Sequence, residues 1–150
     1  MSAQEIILVR QVETSASKLW DALIAPQNWW RKDVTLEPRQ KGRFSEPWCD
    51  AQGGKHMTYG RVLQIIPLQL LHLSWKDDDW SFETEARFTL QETATGCSIT
   101  LTHSGWQAAP DQTRAELMGA HREGWEFHLA NLARFAENDS LGHAAKATDG

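Results

Sequence analysis

The spacing of apolar positions from Thr113 to Asn138 predicts one long amphipathic helix. At about 100° per residue, Leu117, Met118, His121, Trp125, His128, Leu129 and Leu132 fall on one arc, and Arg122, Glu123, Glu126, Arg134 and Glu137 fall opposite. Two imidazoles thus stand where hydrocarbon is expected. A buried ring N–H without a partner costs about 1–3 kcal/mol. His121 and His128 therefore either meet polar partners in a core or line a wet cavity, and the pattern leaves both outcomes open.

Upstream, Glu5 to Glu13 (EIILVRQVE) is apolar and β-branched enough for a strand. Ser15 then offers an N-cap oxygen, and Ala16, Leu19, Trp20 and Leu23 recur at helical spacing until Pro26 stops the run. Gln27 to Arg31, carrying Trp29 and Trp30, reads as one further helical turn. From Val34 to His103 short alternating runs follow one another, punctuated by Lys41-Gly42, Gly53-Gly54, Pro67, Asp77–Asp79 and Thr95-Gly96. Period-two alternation assigns faces: Phe44, Glu46 and Trp48 together; Phe82, Thr84, Ala86, Phe88 and Leu90 together; Cys97, Ile99, Leu101 and His103 together. Met57 to Ile66 is ambiguous, because both parities carry apolar residues.

Consecutive strands with short turns imply an antiparallel sheet with one covered face. The stripe of the long helix needs a partner, and a curved sheet is the one element large enough to supply it. The expected class is α+β: a seven-stranded curved antiparallel sheet wrapped around a long C-terminal helix, with two short helices between the first and second strands. Residues 1–138 form the domain, and the small, polar residues 139–150 (DSLGHAAKATDG, after Asn138) are expected to form a flexible tail.

Composition removes several classes of function. Net charge is −5, acids cluster at Asp77, Asp78, Asp79, Glu83 and Glu85, and there is no basic run to follow a phosphate backbone, so nucleic acid is not an expected partner. Cys49 and Cys97 lack metal-ligand spacing, and no apolar run is long enough to span a membrane. The expected setting is cytoplasmic. No phosphate-cradling GxxxxGK[ST], HExxH, GxSxG elbow or dinucleotide fingerprint is present. No cofactor is expected, and no metal: His121 and His128, seven residues apart, share a face but lie two turns apart, so His103 or Glu46 would have to converge on the same ion. The anomaly is eight Trp against one Tyr. Each Trp brings an apolar body and one N–H that needs a partner, and eight in so small a domain suggest that several ring a cavity.

The pieces LWDALIAPQNWW (19–30), KGRF (41–44), YGRVLQIIPLQLLHLSW (59–75), LTHSGW (101–106) and GWEFHLANL (124–132) carry a resemblance over about residues 5–137. Together, in this order, they resemble the activator of heat-shock-protein-90 ATPase homologue-like family, within the START and birch-pollen-allergen helix-grip superfamily called SRPBCC. The resemblance implies the helix-grip fold, with an internal pocket between sheet and long helix that in relatives holds lipids, polyketides, hormones or other apolar molecules. The eukaryotic namesake needs a separate N-terminal domain, whereas this sequence opens at the first strand, so co-chaperone activity is not the expectation. The pattern departs from relatives at Lys41-Gly42, where two glycines are common, which bears on one turn conformation.

The leading expectation is binding of a small, largely apolar and aromatic-like ligand, with homodimerisation left open. Its wall is expected to comprise Trp29, Phe44, Glu46, Trp75, Phe88, His103, Trp106, His121, Trp125 and His128. The runner-up is a polyketide cyclase or dehydratase in which Glu46 or His103 serves as acid or base with its pKa tuned by burial. Each has a plainer reading: Glu46 paired with Arg61 or left in water at a twisted edge, His103 as a strand-end histidine bonded to a loop carbonyl. A third class is a protein-interaction module presenting the Asp77–Glu85 loop and Phe127.

Overall fold

A computed structural model of the chain describes residues 5–149, with side chains as far as 138. The strands are β1 (Ile6–Val12), β2 (Thr35–Leu36), β3 (Arg43–Cys49), β4 (Lys55–Ile66), β5 (Leu70–Asp77), β6 (Thr84–Thr93) and β7 (Gly96–Ser104). They form one antiparallel sheet in the order β1-β7-β6-β5-β4-β3-β2. Between β1 and β2 lie α1 (Ala16–Leu23) and a 3₁₀ turn (Pro26–Asn28); after β7 comes a second such turn (Trp106–Ala108), and then α2 (Asp111–Asp149). This is the α+β helix-grip arrangement that the sequence implied. The expected flexible tail over 139–150 lies outside the residues whose side chains are described.

Local signals account for the boundaries. The Ser15 side chain accepts from the Lys18 N–H at 3.1 Å, satisfying a free donor at the start of α1. α2 begins two residues earlier than its apolar spacing suggests, directly after Pro110. Arg114 folds back from its first turn to donate to the carbonyls of Trp106, Gln107 and Ala109, which clamps the helix start to the preceding turn. Lys41 takes a left-handed φ of 67° at the Lys41-Gly42 turn.

The ambiguous faces of β4 resolve at a register shift between Val62 and Gln64. Thr58 and Val62 point inward before it and Ile65 packs on the core after it, so both parities carry apolar residues for a structural reason. Arg61 consequently points away from the core, opposite Arg43 across β3 and β4. Gly60 lies so close to β5 that an added Cβ would meet the Ser74 carbonyl oxygen at 2.2 Å.

The core lies between the concave sheet face and α2, with α1 covering one end. Ile6, Val12, Leu19, Ile99, Leu101 and Leu132 are all buried in it. Toward its C-terminal half α2 seals this core with Leu129, Leu132, Ala133 and Ala136. Its N-terminal half stands over β3–β5 with Ala120 and Gly124 on the facing side, and the small side chains leave space there.

Candidate functional site

That space is a cavity of about 350 Å³ that opens to solvent. Strands β3–β5 contribute Glu46, Trp48, Thr58, Trp75 and Asp77, and α2 contributes Leu117, Ala120, His121, Gly124, Trp125 and His128. Trp30 completes the wall from the segment after the first 3₁₀ turn. Its entry is a consequence of its neighbour: the Trp29 Nε1–H donates to the Ala22 carbonyl at 2.7 Å, pinning Trp29 against α1. Trp30 is left to stack near-parallel with Trp75, ring centroids 6.3 Å apart, and to lie 4.2 Å from the His128 ring.

Five of the ten expected wall residues therefore meet here: Glu46, Trp75, His121, Trp125 and His128. The other five do not line this space. Trp29, Phe44 and Phe88 border a separate void of about 20 Å³ behind Trp30, Trp75 and Trp125, room for at most a water-sized molecule. His103 and Trp106 are fully buried, with Trp75 and Trp125 packed against the His103 ring. Phe127 is exposed, as its position off the stripe suggested.

His103 has every ring nitrogen satisfied. The Trp125 Nε1–H donates to its Nδ1 at 2.9 Å, its Nε2–H donates to Thr84 Oγ1 at 2.7 Å, and the Thr84 hydroxyl donates to the Trp75 carbonyl at 2.9 Å. This network assigns the neutral Nε2–H tautomer, and burial holds the pKa of His103 well below the usual histidine range. Its own backbone carbonyl accepts from Trp106 Nε1 at 3.1 Å, and its ring bonds to Thr84 and Trp125 instead of the loop carbonyl of the plainer reading. His103 thus fixes the orientation of a wall residue, Trp125, without lining the cavity.

His121 is also paired: Nδ1–H donates to the Leu117 carbonyl at 3.0 Å and Nε2 accepts from Trp75 Nε1 at 3.3 Å. Burial lowers its pKa, against an opposing pull from the Leu117 carbonyl and the Asp77 charge. His128 differs. Its Nδ1 is buried without a hydrogen-bond partner, and so is the Trp30 Nε1–H beside it. Burial, helped by the charge of Arg31, pushes the His128 pKa down to about 4.

The carboxyls of the wall are raised in pKa. For Glu46 burial dominates, opposed by Arg31, whose guanidinium lies 3.4 Å from Oε2 and also donates to the Pro47 carbonyl. Glu46 is therefore paired with Arg31, and the expected Arg61 partner points to the other face. The Trp30 indole favours the charged form of Glu46 weakly, without reaching hydrogen-bond geometry.

Asp77, read from sequence as part of an acidic loop, instead ends β5 with its side chain inward. It accepts from Thr58 Oγ1 at 2.6 Å, and burial raises its pKa despite that bond and the His121 ring. Trp48 Nε1–H in turn donates to Thr58 at 3.0 Å. His56 stacks on the Trp48 ring at 4.4 Å. Asp78 and Asp50 accept from its two nitrogens at 2.9 and 2.8 Å, and these two bonds raise its pKa to about 9. Asp77, Thr58, Trp30, Trp48 and Gly124 were not among the expected wall residues. Asp77 continues the inward parity of Leu71, Leu73 and Trp75, which was the available signal.

Among proteins with curated descriptions none matches the chain. Solved structures that resemble it include protein MLL2253 from Mesorhizobium loti, 27% identical with a TM-score of 0.67, covering 87% of this chain and 94% of that one. DynU16, a protein of the dynemicin biosynthetic locus, is 18% identical with a TM-score of 0.71, over 91% of this chain and 48% of that one. The Aha1 dimer from Colwellia psychrerythraea is 20% identical with a TM-score of 0.70, over 89% and 96%. The last two likenesses carry the fold. Residues 13–137 match the family model for Activator of Hsp90 ATPase homolog 1-like protein, and the chain belongs to that family.

Proposed function

We propose that this chain binds a small, largely apolar molecule with an aromatic or extended hydrocarbon body in the cavity between β3–β5 and α2. One observation carries the reading: a space of about 350 Å³, within the range of small-molecule sites, bounded by four tryptophans, with two buried polar atoms of its lining residues, Trp30 Nε1 and His128 Nδ1, left without a partner among the described residues. A core built for stability alone closes such space and pairs such atoms. The likeness to DynU16 is in keeping with a small-molecule role, and that to the Colwellia protein supports homodimerisation, which the solution mass from light scattering reads directly.

Gly124 supplies the test. An added Cβ there meets nothing within 4 Å, and replacing a mid-helix glycine relieves about 0.8–1 kcal/mol of helix penalty. Gly124→Leu should fill the cavity and leave the fold intact. We expect a saturable change of Trp emission when naphthalene is added to the wild type, and none in Gly124→Leu with circular dichroism retained. No saturable response in the wild type, or an equal one in the variant, sinks the reading.

A second reading, acid/base turnover, rests on the Glu46 carboxyl in the cavity wall, where burial favours the protonated form more than in an ordinary carboxyl. Cyclisation or dehydration of a poly-β-ketone substrate, abolished in Glu46→Gln, would carry it. Recovery of unchanged substrate from the wild type would remove it.

A further inference from the structure

We propose that the occupant of the cavity is an organic cation, a quaternary or protonated amine on an aromatic or alkyl body. The proposal rests on the cavity being a ligand site and names the chemistry that the site recognises.

The wall is acidic and aromatic together. Trp30, Trp48, Trp75 and Trp125 line it with Glu46 and Asp77, and no Lys or Arg is among its lining residues. Tryptophan is the side chain that best attracts a cation to its ring face, and cages of aromatic rings are the usual receptors of quaternary ammonium groups. Trp48 already stacks on one cationic ring, that of His56, at 4.4 Å and 18°. That charge is compensated locally by Asp50 and Asp78.

The two wall carboxyls differ in what balances them. Glu46 faces Arg31, which is half-exposed and shared with Asp33 and the Pro47 carbonyl. Asp77 is buried, and among the described residues its one hydrogen bond to a side chain is from the Thr58 hydroxyl. The groups that face Asp77 are Thr58 from β4, the neutral His121 from α2, Glu46 from β3 and its own neighbours Asp78 and Asp79. None of these is a lysine or arginine. A buried carboxyl without a counter-charge must either keep its proton or meet a cation, and burial has already raised the pKa of Asp77 and of Glu46. A bound ammonium takes the place of those protons, so cation binding releases protons and weakens as pH falls through the raised carboxyl range. A neutral ligand has no such coupling.

The experiment compares two probes of the same shape, benzyltrimethylammonium and its carbon isostere neopentylbenzene, by Trp emission titration. We expect the cation to bind at least tenfold more tightly at pH 7, and this preference to shrink steadily as pH is lowered through the carboxyl range. It should vanish in Asp77→Asn, where the amide oxygen can still accept from Thr58, and fall only partly in Glu46→Gln, because Arg31 already balances that carboxylate. Equal or tighter binding of the isostere overturns the cation assignment and leaves the cavity as an apolar ligand site. Binding of neither probe removes both readings. Should Asp77→Asn lose its fold by circular dichroism, the pH series and Glu46→Gln decide: a preference independent of both overturns the assignment.

Discussion

Two histidines on the inner face of this domain receive opposite treatment. His103 sits among Thr84, Trp106 and Trp125 with both ring nitrogens bonded. His128, on the same helix face as Trp125, has a ring nitrogen buried beside the equally unpartnered indole N–H of Trp30. Burial depresses both pKa values, so both rings are neutral at pH 7. The difference lies in whether the polar atoms of a neutral ring are used. A satisfied buried network rigidifies a core, while a partly satisfied one carries a standing penalty that a third party can remove. The first pattern is that of scaffold, and the second is the one expected of the proposed site.

Substitution should separate the two most strongly. His103→Leu leaves the Trp125 N–H without an acceptor in a packed core, a loss of about 2–4 kcal/mol including the misfit of shape. For a domain of this size, that is a fall in Tm of roughly 5–15 °C. His128→Leu removes an unsatisfied nitrogen next to a cavity and should change stability by no more than about 1 kcal/mol in either direction, while altering the Trp emission response to naphthalene. Thermal melts of the two variants under one buffer test this. Equal destabilisation would erase the distinction between scaffold and site.

Acid should expose the same contrast in the wild type. The folded pKa of His128, about 4, lies below the unfolded value near 6.5, so the unfolded chain binds more protons between them. The contribution of His128 is therefore complete above about pH 6.5 and is lost as pH falls toward 4. It amounts to roughly 2–3 kcal/mol after allowance for partial exposure. Glu46 and Asp77 act oppositely: their raised folded pKa values make the native state bind more protons and add stability as pH falls through them. The net curve mixes the two signs, so the informative quantity is a difference. Urea unfolding at pH 7 and pH 4 should show the drop to be smaller in His128→Leu than in the wild type, and identical drops would place the lost protonation elsewhere.

Much of this contrast was legible in the sequence, and its limits follow from geometry. Alternation along Gly42–Trp48 put Glu46 and Trp48 on the buried side, and the helical arc put His121, Trp125 and His128 together; each pattern is local and survives folding unchanged. Depth was not legible. His103 does point inward with Ile99 and Leu101, but whether it meets a cavity or a core depends on Thr84 and Trp125, which are distant in the chain. Adjacent Trp29 and Trp30 share what reads as a single helical turn after a proline, too short for its period to say which enters. The run of three aspartates hid Asp77, because a uniform composition masks the parity that Leu71, Leu73 and Trp75 had set. The register shift in β4 hid the outward direction of Arg61, and with it the pairing of Glu46 to Arg31.

The smallest expected effect concerns the helix that carries both kinds of residue. Gly124 lies in α2 between His121 and His128, with open space where a Cβ would be. Glycine in a helix interior is less stable than alanine by about 0.5–1 kcal/mol because it loses more backbone freedom on folding. If Gly124 served packing, a methyl group there would clash and the exchange would destabilise. With the methyl projecting into the cavity instead, Gly124→Ala should raise stability by about 0.5–1 kcal/mol, a Tm gain of roughly 1–4 °C. Affinity for naphthalene should fall modestly, since the cavity narrows without closing. Stability and binding would then move in opposite directions at one residue, which is the behaviour expected where space is kept for a ligand at the expense of the helix. A loss of stability in Gly124→Ala, or a gain without any change in binding, would assign the glycine to the scaffold.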